Sequence, residues 1–523
     1  MIYTEQCLHG TLQALFRVEG LQMIKRQDIE DLYKIVQSLY MADDIPWVIG
    51  YSGGKDSTAT LQLVWYALSA LPEADRKRKP VHVISTDTLV ESPVIEKWVE
   101  RSLAYIKEES EKQKLPFVTH RLTPKTDQTF WVNLLGRGYP YPRPTMRWCT
   151  DRLKIKPSND FIKSVVSTYG EAILLLGTRK AESSHRAQNM ERYEKMRVRE
   201  YLSPNGSMQN GLVFSPLEKW TTDDVWFYLM QYANPWGFSN KELLNLYRGA
   251  SADSECPIVM DLSTPSCGQS RFGCWVCTLV EKDKSMEAMI VNDSQKAWMM
   301  PLLNFRNKIG DSTSDKERRD FRKMKGNLLP FKGGLVHGPY KRDVREAWLK
   351  ELLEIQRDIN ENGPEEFRDL QLITIEELNK IRQIWLEEKH EFYDSLPGIY
   401  QRATGKELPL QYCKHAPFGE EEWKLLKAVG EETCPGEELA FELAYRLIDV
   451  ESGYSNLQKR RGIYTSLQDE IRKCCFKNET DATEYAMAKQ RRKKEYGLDY
   501  DPDAEAVDEL DTEETEKESM NED

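Results

Sequence analysis

A glycine-rich turn at residues 52–58, with the sequence SGGKDST, carries the most distinctive chemistry of the chain. It lies between a predicted buried strand, residues 47–51, and a predicted helix, about residues 58–68. Two adjacent glycines let the backbone approach an anion closely, and the amides at a helix N-terminus donate hydrogen bonds to it. Asp56, not Ser or Thr, follows Lys55, so this is not a Walker A loop. The turn therefore predicts a phosphate site, with an unliganded Gly-Gly turn as the disfavoured alternative.

Four of the ten cysteines fall within 22 residues, among Gly and Pro: Cys256, Cys267, Cys274 and Cys277. In a reducing compartment, clustered cysteines ligate metal more often than they form disulfides. Four thiolates suit either zinc or a [4Fe-4S] cluster, and spacing alone does not choose between them. The gaps of ten and six residues are, however, not a standard zinc-ribbon pattern.

Cys149 lies outside this group and is flanked by basic residues, among them Arg147 and Arg152. Positive neighbours favour the thiolate, which is the reactive form of cysteine. A single cysteine beside Trp148 can also be buried and inert. We interpret Cys149 as a candidate for sulfur chemistry.

Short apolar runs and helical patterns alternate through the first half of the chain. The runs at 47–51, 81–85, 116–120 and 172–176 predict strands, and 94–114 and 156–169 predict two of the helices between them. This alternation predicts an α/β fold, a parallel sheet with helices on both faces and ligands at the carboxyl ends of the strands.

The pattern changes beyond about residue 247, first to cysteine-bearing loops and then to basic and charged helical sequence. We therefore expect five regions: an N-terminal helical segment (1–46), a phosphate-binding α/β domain (47–246), a cysteine-rich and basic region (247–345), a helical C-terminal domain (346–497) and an acidic disordered tail (498–523).

The net charge of -12 is concentrated in the tail, because residues 499–523 contain thirteen acidic residues and one Lys. The remaining chain has 72 basic and 72 acidic residues, so its overall charge does not argue against a nucleic-acid partner. No apolar run is long enough to span a bilayer, and residues 1–20 lack the pattern of a signal peptide. We expect a cytoplasmic protein without a membrane partner.

The order of residues in the phosphate turn resembles the SGGxDS signature of the PP-loop ATP pyrophosphatases. In that family ATP is cleaved between its α and β phosphates, the acceptor is adenylated and pyrophosphate leaves. The resemblance implies a PP-loop sheet and an ATP site formed by Ser52, Gly53, Gly54, Lys55, Asp56 and Ser57. Lys55 and Asp56 would be catalytic, Asp56 by bracing the loop or helping to hold Mg²⁺, not as a base.

Further segments resemble the phosphoadenosine-phosphosulfate reductase-like branch of that superfamily. Residues 85–88 (STDT) would place Asp87 against the adenosine, and residues 177–186 (GTRKAESSHR) resemble the GxRxxES segment of the branch. The latter implies that Gly177, Arg179 and Arg186 bind ATP, although each arginine alone could be a surface charge. Residues 216–226 resemble its PL..W...DVW element, and residues 147–157 resemble RWCTxxLKxxP, which contains Cys149.

Most of the chain, and residues 47–345 most clearly, resembles the DndC family, the ATP pyrophosphatase subunits of DNA phosphorothioate modification. The resemblance implies an iron-sulfur insert with a [4Fe-4S] cluster on the four clustered cysteines, and a DNA backbone phosphate as the acceptor. It also implies a cysteine desulfurase as sulfur donor, with the ATPase and DNA-binding subunits of the same system as partners.

Basic stretches that contain or adjoin aromatic residues could contact DNA, at residues 316–325, 331–334, 340–342 and 489–494. A solvated helix face is an equally good explanation of each stretch, and no DNA-contacting residue is named from sequence.

Three alternative functions remain. A sulfonucleotide reductase is disfavoured because Cys149 is followed by Thr150 instead of a second Cys, and because an ECG-like tail is missing. A tRNA thiolase would place sulfur in tRNA instead of DNA. A non-catalytic scaffold that binds ATP and a cluster would release no pyrophosphate.

Overall fold

The computed structural model describes residues 24–206, 208, 210–250, 272–411, 420–455, 457 and 459–496. Cys256, Cys267 and the predicted acidic tail lie outside these residues. The chain divides into two compact units. The first contains Met1–Pro124, Thr150–Val276 and Lys282–Leu303, and the second contains Lys125–Cys149, Cys277–Glu281 and Asn304–Asp523.

The first unit is built on a six-stranded sheet with the order β3-β2-β1-β4-β6-β5. The strands are β1 (Trp47–Gly50), β2 (Val81–Thr86), β3 (Phe117–Leu122), β4 (Ala172–Leu175), β5 (Ser203–Pro204) and β6 (Gly211–Phe214). All neighbouring pairs are parallel except β5 with β6. The predicted α/β class, its parallel sheet and its first four strands are confirmed, whereas β5 and β6 were not predicted.

Among the residues that the structure describes, the longer helices of the first unit are α1 (Arg26–Met41), α2 (Lys55–Ser69), α3 (Pro93–Lys112), α4 (Lys156–Tyr169), α5 (Ser184–Glu194), α6 (Thr222–Gln231), α7 (Asn240–Gly249) and α8 (Lys284–Asn292). Shorter helical segments are Glu73–Arg76, Asp151–Ile155, Lys180–Glu182 and Ser294–Met299. Helix α3 begins with Pro93, which suits a first helical position because its missing N–H has no partner there. Helix α4 is followed by Gly170, whose φ of +86° a residue with a side chain rarely adopts.

Helices cover both faces of the sheet. Successive residues of a strand point to opposite faces, so alternate residues of β1 pack against different helices. Trp47 and Ile49 join the hydrophobic cluster that includes α1, α2 and α3. Val48, between them, joins a second cluster with Ile162 and Val165 of α4. The loops at the carboxyl ends of the strands are thus held between two packed layers.

The second unit is largely helical. Its helices are α9 (Met300–Ile309, which begins in the first unit), α10 (Arg342–Asn362), α11 (Ile375–Glu387), α12 (Ser395–Thr404), α13 (Glu420–Thr433), α14 (Glu438–Ser455), α15 (Ile463–Cys474) and α16 (Glu479–Tyr496). Short helical segments are Thr126–Gln128, Val132–Arg137, Glu365–Phe367 and Trp148–Thr150, the last of which ends in the first unit, and β7 (Pro330–Phe331) pairs with β8 (Gly334–Leu335). Buried Trp348 and Trp385 lie in its core. No helix in the described ranges is long and apolar enough to cross a membrane.

Candidate nucleotide-binding site

The phosphate loop, residues 52–57, connects β1 to the start of α2. Gly53 has a φ of +71°, a left-handed conformation that favours glycine. The Ser57 hydroxyl donates to the carbonyl of Gly54 at 3.0 Å and accepts the amide of Ser52 at 3.2 Å. These bonds close the loop on itself, so the backbone curves around the helix N-terminus, where a phosphate is stabilised.

Two side chains from other elements hold the loop. The Trp98 indole Nε1 donates to the Gly53 carbonyl at 3.1 Å, and the Tyr247 hydroxyl accepts the Lys55 amide at 3.3 Å. Tyr247 packs edge-on against Trp226 and Phe272, with ring centroids 5.2 and 4.5 Å away. Burial raises the pKa of Tyr247, so its hydroxyl stays neutral. The loop is therefore fixed by aromatic residues from α3, α6 and α7.

Asp56 lies between two cations. Its Oδ1 accepts from Arg179 Nε at 2.7 Å, and its Oδ2 accepts from Lys55 Nζ at 3.1 Å. Arg179 is only 2% exposed and also donates to the Trp220 carbonyl at 3.2 Å. Since both carboxylate oxygens of Asp56 are engaged, its geometry suits bracing of the loop, and Arg179 positions Asp56.

A second charged group lies where β2 and β3 end. Asp87 follows β2, and its Oδ2 accepts from Arg121 Nε and Nη2 at 3.0 and 2.6 Å. Arg121 also donates to Glu96 Oε1 at 2.6 Å. Burial raises the pKa of the Glu96 carboxyl, and the Asp87 carboxylate raises it further, while Arg121 opposes both effects. Asp87 is thus a buried carboxylate held in a fixed orientation.

These groups line one cleft of about 1150 Å³ at the carboxyl ends of the strands. The predicted ATP residues on its wall are Ser52, Gly54, Lys55, Asp56, Ser57, Asp87, Gly177, Arg179 and Arg186. Gly177 packs tightly, because a Cβ there would lie 2.8 Å from the Asp56 carbonyl oxygen. Arg186 pairs with Glu182 at the exposed side of the cleft. The fold therefore brings together residues more than a hundred positions apart in sequence.

Cys274 lies beside the loop that follows Asp87. Its sulfur is 3.3 Å from the Thr88 hydroxyl, where either atom can be the donor, and 3.7 Å from Glu91 Oε1. The Trp275 amide donates to the Val90 carbonyl at 3.0 Å, which fixes the two segments together. Glu91 also pairs with Lys154 at 3.4 Å, and both side chains line the cleft. One cysteine of the predicted metal group is thus next to the nucleotide cleft.

The other predicted sulfur residues are less completely described. Cys277 and Cys149 are both partly buried in the second unit. The Cys277 carbonyl accepts from Arg306 Nε at 2.8 Å. The described ranges contain no group of three or more His, Cys, Asp or Glu side chains placed to hold a metal ion. Because Cys256 and Cys267 are outside these ranges, the four-cysteine site stays a prediction.

Several charged or aromatic cleft residues were not predicted as site residues from sequence, among them Glu96, Arg121, Lys154 and Tyr247. Arg121 had a usable signal, because it directly follows the predicted strand at 116–120, at the same sheet edge as Asp87. Lys154 was predicted only as a basic neighbour of Cys149 and not as a residue of the cleft. Tyr247 gave no local signal, since its position depends on packing between helices.

Comparison with known proteins shows what this domain is similar to. Residues 46–279, less than half of the chain, match the sequence model of the phosphoadenosine phosphosulfate reductase domain. This part of the chain is therefore similar to a phosphoadenosine phosphosulfate reductase domain. An uncharacterized protein of Methanocaldococcus jannaschii is 25% identical over 202 residues, which are 38% of this chain and 35% of that protein. The chain thus matches about a third of the length of this relative.

Three solved structures show partial likeness. A phosphoadenylyl-sulfate reductase from Candida auris is 15% identical, with 43% of this chain and 94% of that chain covered and a TM-score of 0.27. The FMN adenylyltransferase of Candida glabrata is 14% identical (43% and 63% covered, TM-score 0.24). The U34-tRNA thiolase NcsA of Methanococcus maripaludis, with its [4Fe-4S] cluster, is 13% identical (54% and 78% covered, TM-score 0.27). At these TM-scores, the ligands and activities of those proteins say nothing about this chain.

Proposed function

We propose that this chain is an ATP pyrophosphatase and sulfurtransferase that adenylates a backbone phosphate of DNA and replaces one of its oxygens with sulfur. The reaction with ATP is supported by the phosphate loop at the carboxyl end of β1, which contains the left-handed Gly53, the hydrogen-bonded Ser52 and Ser57, and Lys55. The DNA half rests on the resemblance of the sequence to the DndC family. The family match supports the PP-loop class but not this acceptor.

The first step is adenylyl transfer. A non-bridging oxygen of the DNA phosphate attacks the α-phosphorus of ATP, and pyrophosphate leaves from the phosphate loop. Lys55 neutralises charge on the leaving pyrophosphate, and the loop amides with the Ser52 and Ser57 hydroxyls orient it. Mg²⁺ prefers oxygen ligands, and since both Asp56 oxygens are engaged, we expect it to enter with the ATP phosphates.

The second step is displacement by sulfur. A persulfide on Cys149, loaded by a cysteine desulfurase, attacks the adenylated phosphorus through its terminal sulfur, and AMP leaves. A dithiol then reduces the bond between the Cys149 sulfur and the transferred sulfur and is itself oxidised to a disulfide, which leaves the phosphorothioate on DNA and restores the Cys149 thiol.

A [4Fe-4S] cluster fits the donor set of Cys256, Cys267, Cys274 and Cys277, since four thiolates are its usual ligands. Cys274, one of these four residues, lies in a hydrogen-bonded group with the Thr88 hydroxyl and Glu91 Oε1, so its sulfur has a fixed position. When bound, such a cluster supplies one-electron transfer.

Product analysis tests the proposal. Purified protein incubated with ATP, DNA, cysteine, a cysteine desulfurase and a dithiol should form AMP and pyrophosphate, and Ser57→Ala should abolish both. Ser69→Ala, at the other end of the same helix, is the matched control, because its hydroxyl bonds only the Trp65 carbonyl among the described contacts. ADP and phosphate as main products would contradict the ATP assignment.

The acceptor is tested separately, by mass spectrometry of nuclease-digested DNA and tRNA from cells with and without this chain. Phosphorothioate dinucleotides that depend on the chain support the proposal. Sulfur in tRNA bases and none in DNA would instead favour the tRNA thiolase alternative.

A further inference from the structure

The structure separates the basic stretches of the sequence into internal and exposed ones. Arg319, Arg322 and Lys323 are each less than a tenth exposed. Arg319 donates to Asp315 at 3.2 Å, and Arg322 pairs with Glu442 at 2.8 Å. These cations stabilise the second unit and do not present charge to a large polyanion.

The hairpin formed by β7 and β8 has its cation on the surface instead of in the interior. Its turn is formed by Lys332 and Gly333, whose φ angles of +45° and +84° are those of a tight hairpin turn. Phe331 is 45% exposed, and Lys332 Nζ lies 5.1 Å from the centre of its ring. The hairpin therefore exposes an aromatic ring and a cation side by side.

The hairpin packs against α16. Leu335 of β8 lies in one buried cluster with Ala482 and Ala486 of that helix. Just beyond β8, His337 Nε2 is 2.9 Å from Glu479 Oε1 in the first turn of the helix. These contacts fix the helix beside the hairpin.

The exposed end of α16 continues the positive charge. Residues 485–494 contain five basic and no acidic residues, and Lys489, Arg491 and Arg492 are exposed. Lys489 lies three residues after buried Ala486, which is about one helical turn. The cations of the helix and of the hairpin thus belong to one neighbourhood of the second unit.

We propose that Phe331, Lys332, Lys489, Arg491 and Arg492 form a hairpin–helix surface that binds duplex DNA. The inference rests on the proposed function, for which it supplies an acceptor-binding surface. Basic side chains neutralise backbone phosphates, and an exposed aromatic ring gives apolar contact with sugars or bases. Both single-stranded and duplex nucleic acids can bind such a combination of cations and an aromatic ring. We commit to duplex DNA because the proposed acceptor is a DNA backbone phosphate.

The experiment measures the affinity of the full chain for a fluorescently labelled DNA duplex, by anisotropy at several salt concentrations. The test variant is Lys332→Ala/Lys489→Ala/Arg492→Ala. The matched control is Lys77→Ala/Lys107→Ala/Lys241→Ala, which removes three exposed cations from the first unit. Melting temperatures of both variants show whether each is folded.

Each lost phosphate contact lowers the slope of log affinity against log salt by about 0.9. The slope of the test variant should be smaller than the wild-type slope by about 2.7, for three lost contacts. The fold-loss of its affinity between 50 and 200 mM salt should therefore be about 40 times smaller than that of the wild-type protein. The control should keep the wild-type slope. Phe331→Ala should weaken binding about fivefold with the slope unchanged, because it removes about 1 kcal/mol of apolar contact and no phosphate contact.

A test variant with the wild-type slope would overturn the surface, even if the wild-type protein forms AMP and pyrophosphate as proposed. The surface is also overturned if the wild-type protein does not bind the duplex at low salt. Tighter, variant-sensitive binding of tRNA than of the duplex would show that the partner is RNA. Product analysis of the wild-type protein reports on the proposed function independently of these results.

Discussion

Replacing Gly53 by Ala tests the phosphate loop most directly. The φ of +71° at this position is unfavourable for any residue with a Cβ. A Cβ there would also lie 2.6 Å from Val99 Cγ2 and 3.2 Å from Trp98 Cδ1. The loop must then move away from α3 or change its backbone conformation, and either response distorts the phosphate site.

The size of the effect follows from these two terms. A left-handed conformation costs a non-glycine residue about 1–2 kcal/mol. Overpacking by one methyl group costs about 1–3 kcal/mol. If the loop relieves both by leaving its binding conformation, ATP affinity falls between about 30-fold and several thousand-fold, since about 1.4 kcal/mol corresponds to a factor of ten.

Equilibrium binding of ATP, measured by calorimetry, compares three variants with the wild-type protein. Gly170→Ala is the control, because its φ is +86° but no atom lies within 4 Å of the added Cβ. It should lower stability slightly and leave ATP affinity unchanged. Gly53→Ala/Val99→Ala should recover the overpacking part, about 5- to 150-fold in affinity. Normal ATP binding by Gly53→Ala, or no recovery in the double variant, would refute the described loop geometry.

Three further predictions concern other parts of the chain. Arg179→Lys should lower pyrophosphate release about 10- to 150-fold in steady-state assays, because it removes a charged hydrogen bond to Asp56; an unchanged rate would show that Asp56 needs no brace. Burial, and to a smaller extent the neighbouring His120, lowers the pKa of His82 from 6.5 to about 4. Keeping this imidazole neutral in the folded protein therefore costs no free energy of unfolding above pH 6.5, and it lowers the free energy of unfolding as the pH falls from 6.5 toward 4. Melting curves of His82→Gln should therefore depend less on pH in that window than those of the wild-type protein, and equal dependence would contradict this. Cys149→Ser should keep its iron and its pyrophosphate release but leave DNA without sulfur, and loss of its iron absorbance would make Cys149 a cluster ligand.

The sequence predicted those parts of the fold that depend on local patterns. Helix α4 has the predicted bounds, and β1 to β4 begin and end within two residues of the predicted runs. Strand β6 was missed because its apolar run is only three residues long, residues 212–214, and lies between Gly211 and Pro216, so it is difficult to distinguish from a loop.

The candidate site could be predicted from sequence only where its functional residues are adjacent in one segment. The phosphate loop is contiguous, and its residue order was sufficient. Arg322 shows the limit, because the sequence presents it as part of a basic stretch, whereas its partner Glu442 is 120 residues away. Pairing over such distances decides whether a cation is structural or available to a ligand, and composition does not reveal it.

The bond between Trp98 and the Gly53 carbonyl has a thermodynamic consequence. With Tyr247 on the Lys55 amide, it ties the loop to α3 and α7, so the packed aromatic core determines the loop's shape. The entropy of ordering these residues is then lost when the chain folds and not when a nucleotide binds. Mutations of the aromatic residues that hold the loop, which do not themselves contact a phosphate, should therefore reduce nucleotide affinity, because the loop would then lose its conformational entropy when the nucleotide binds.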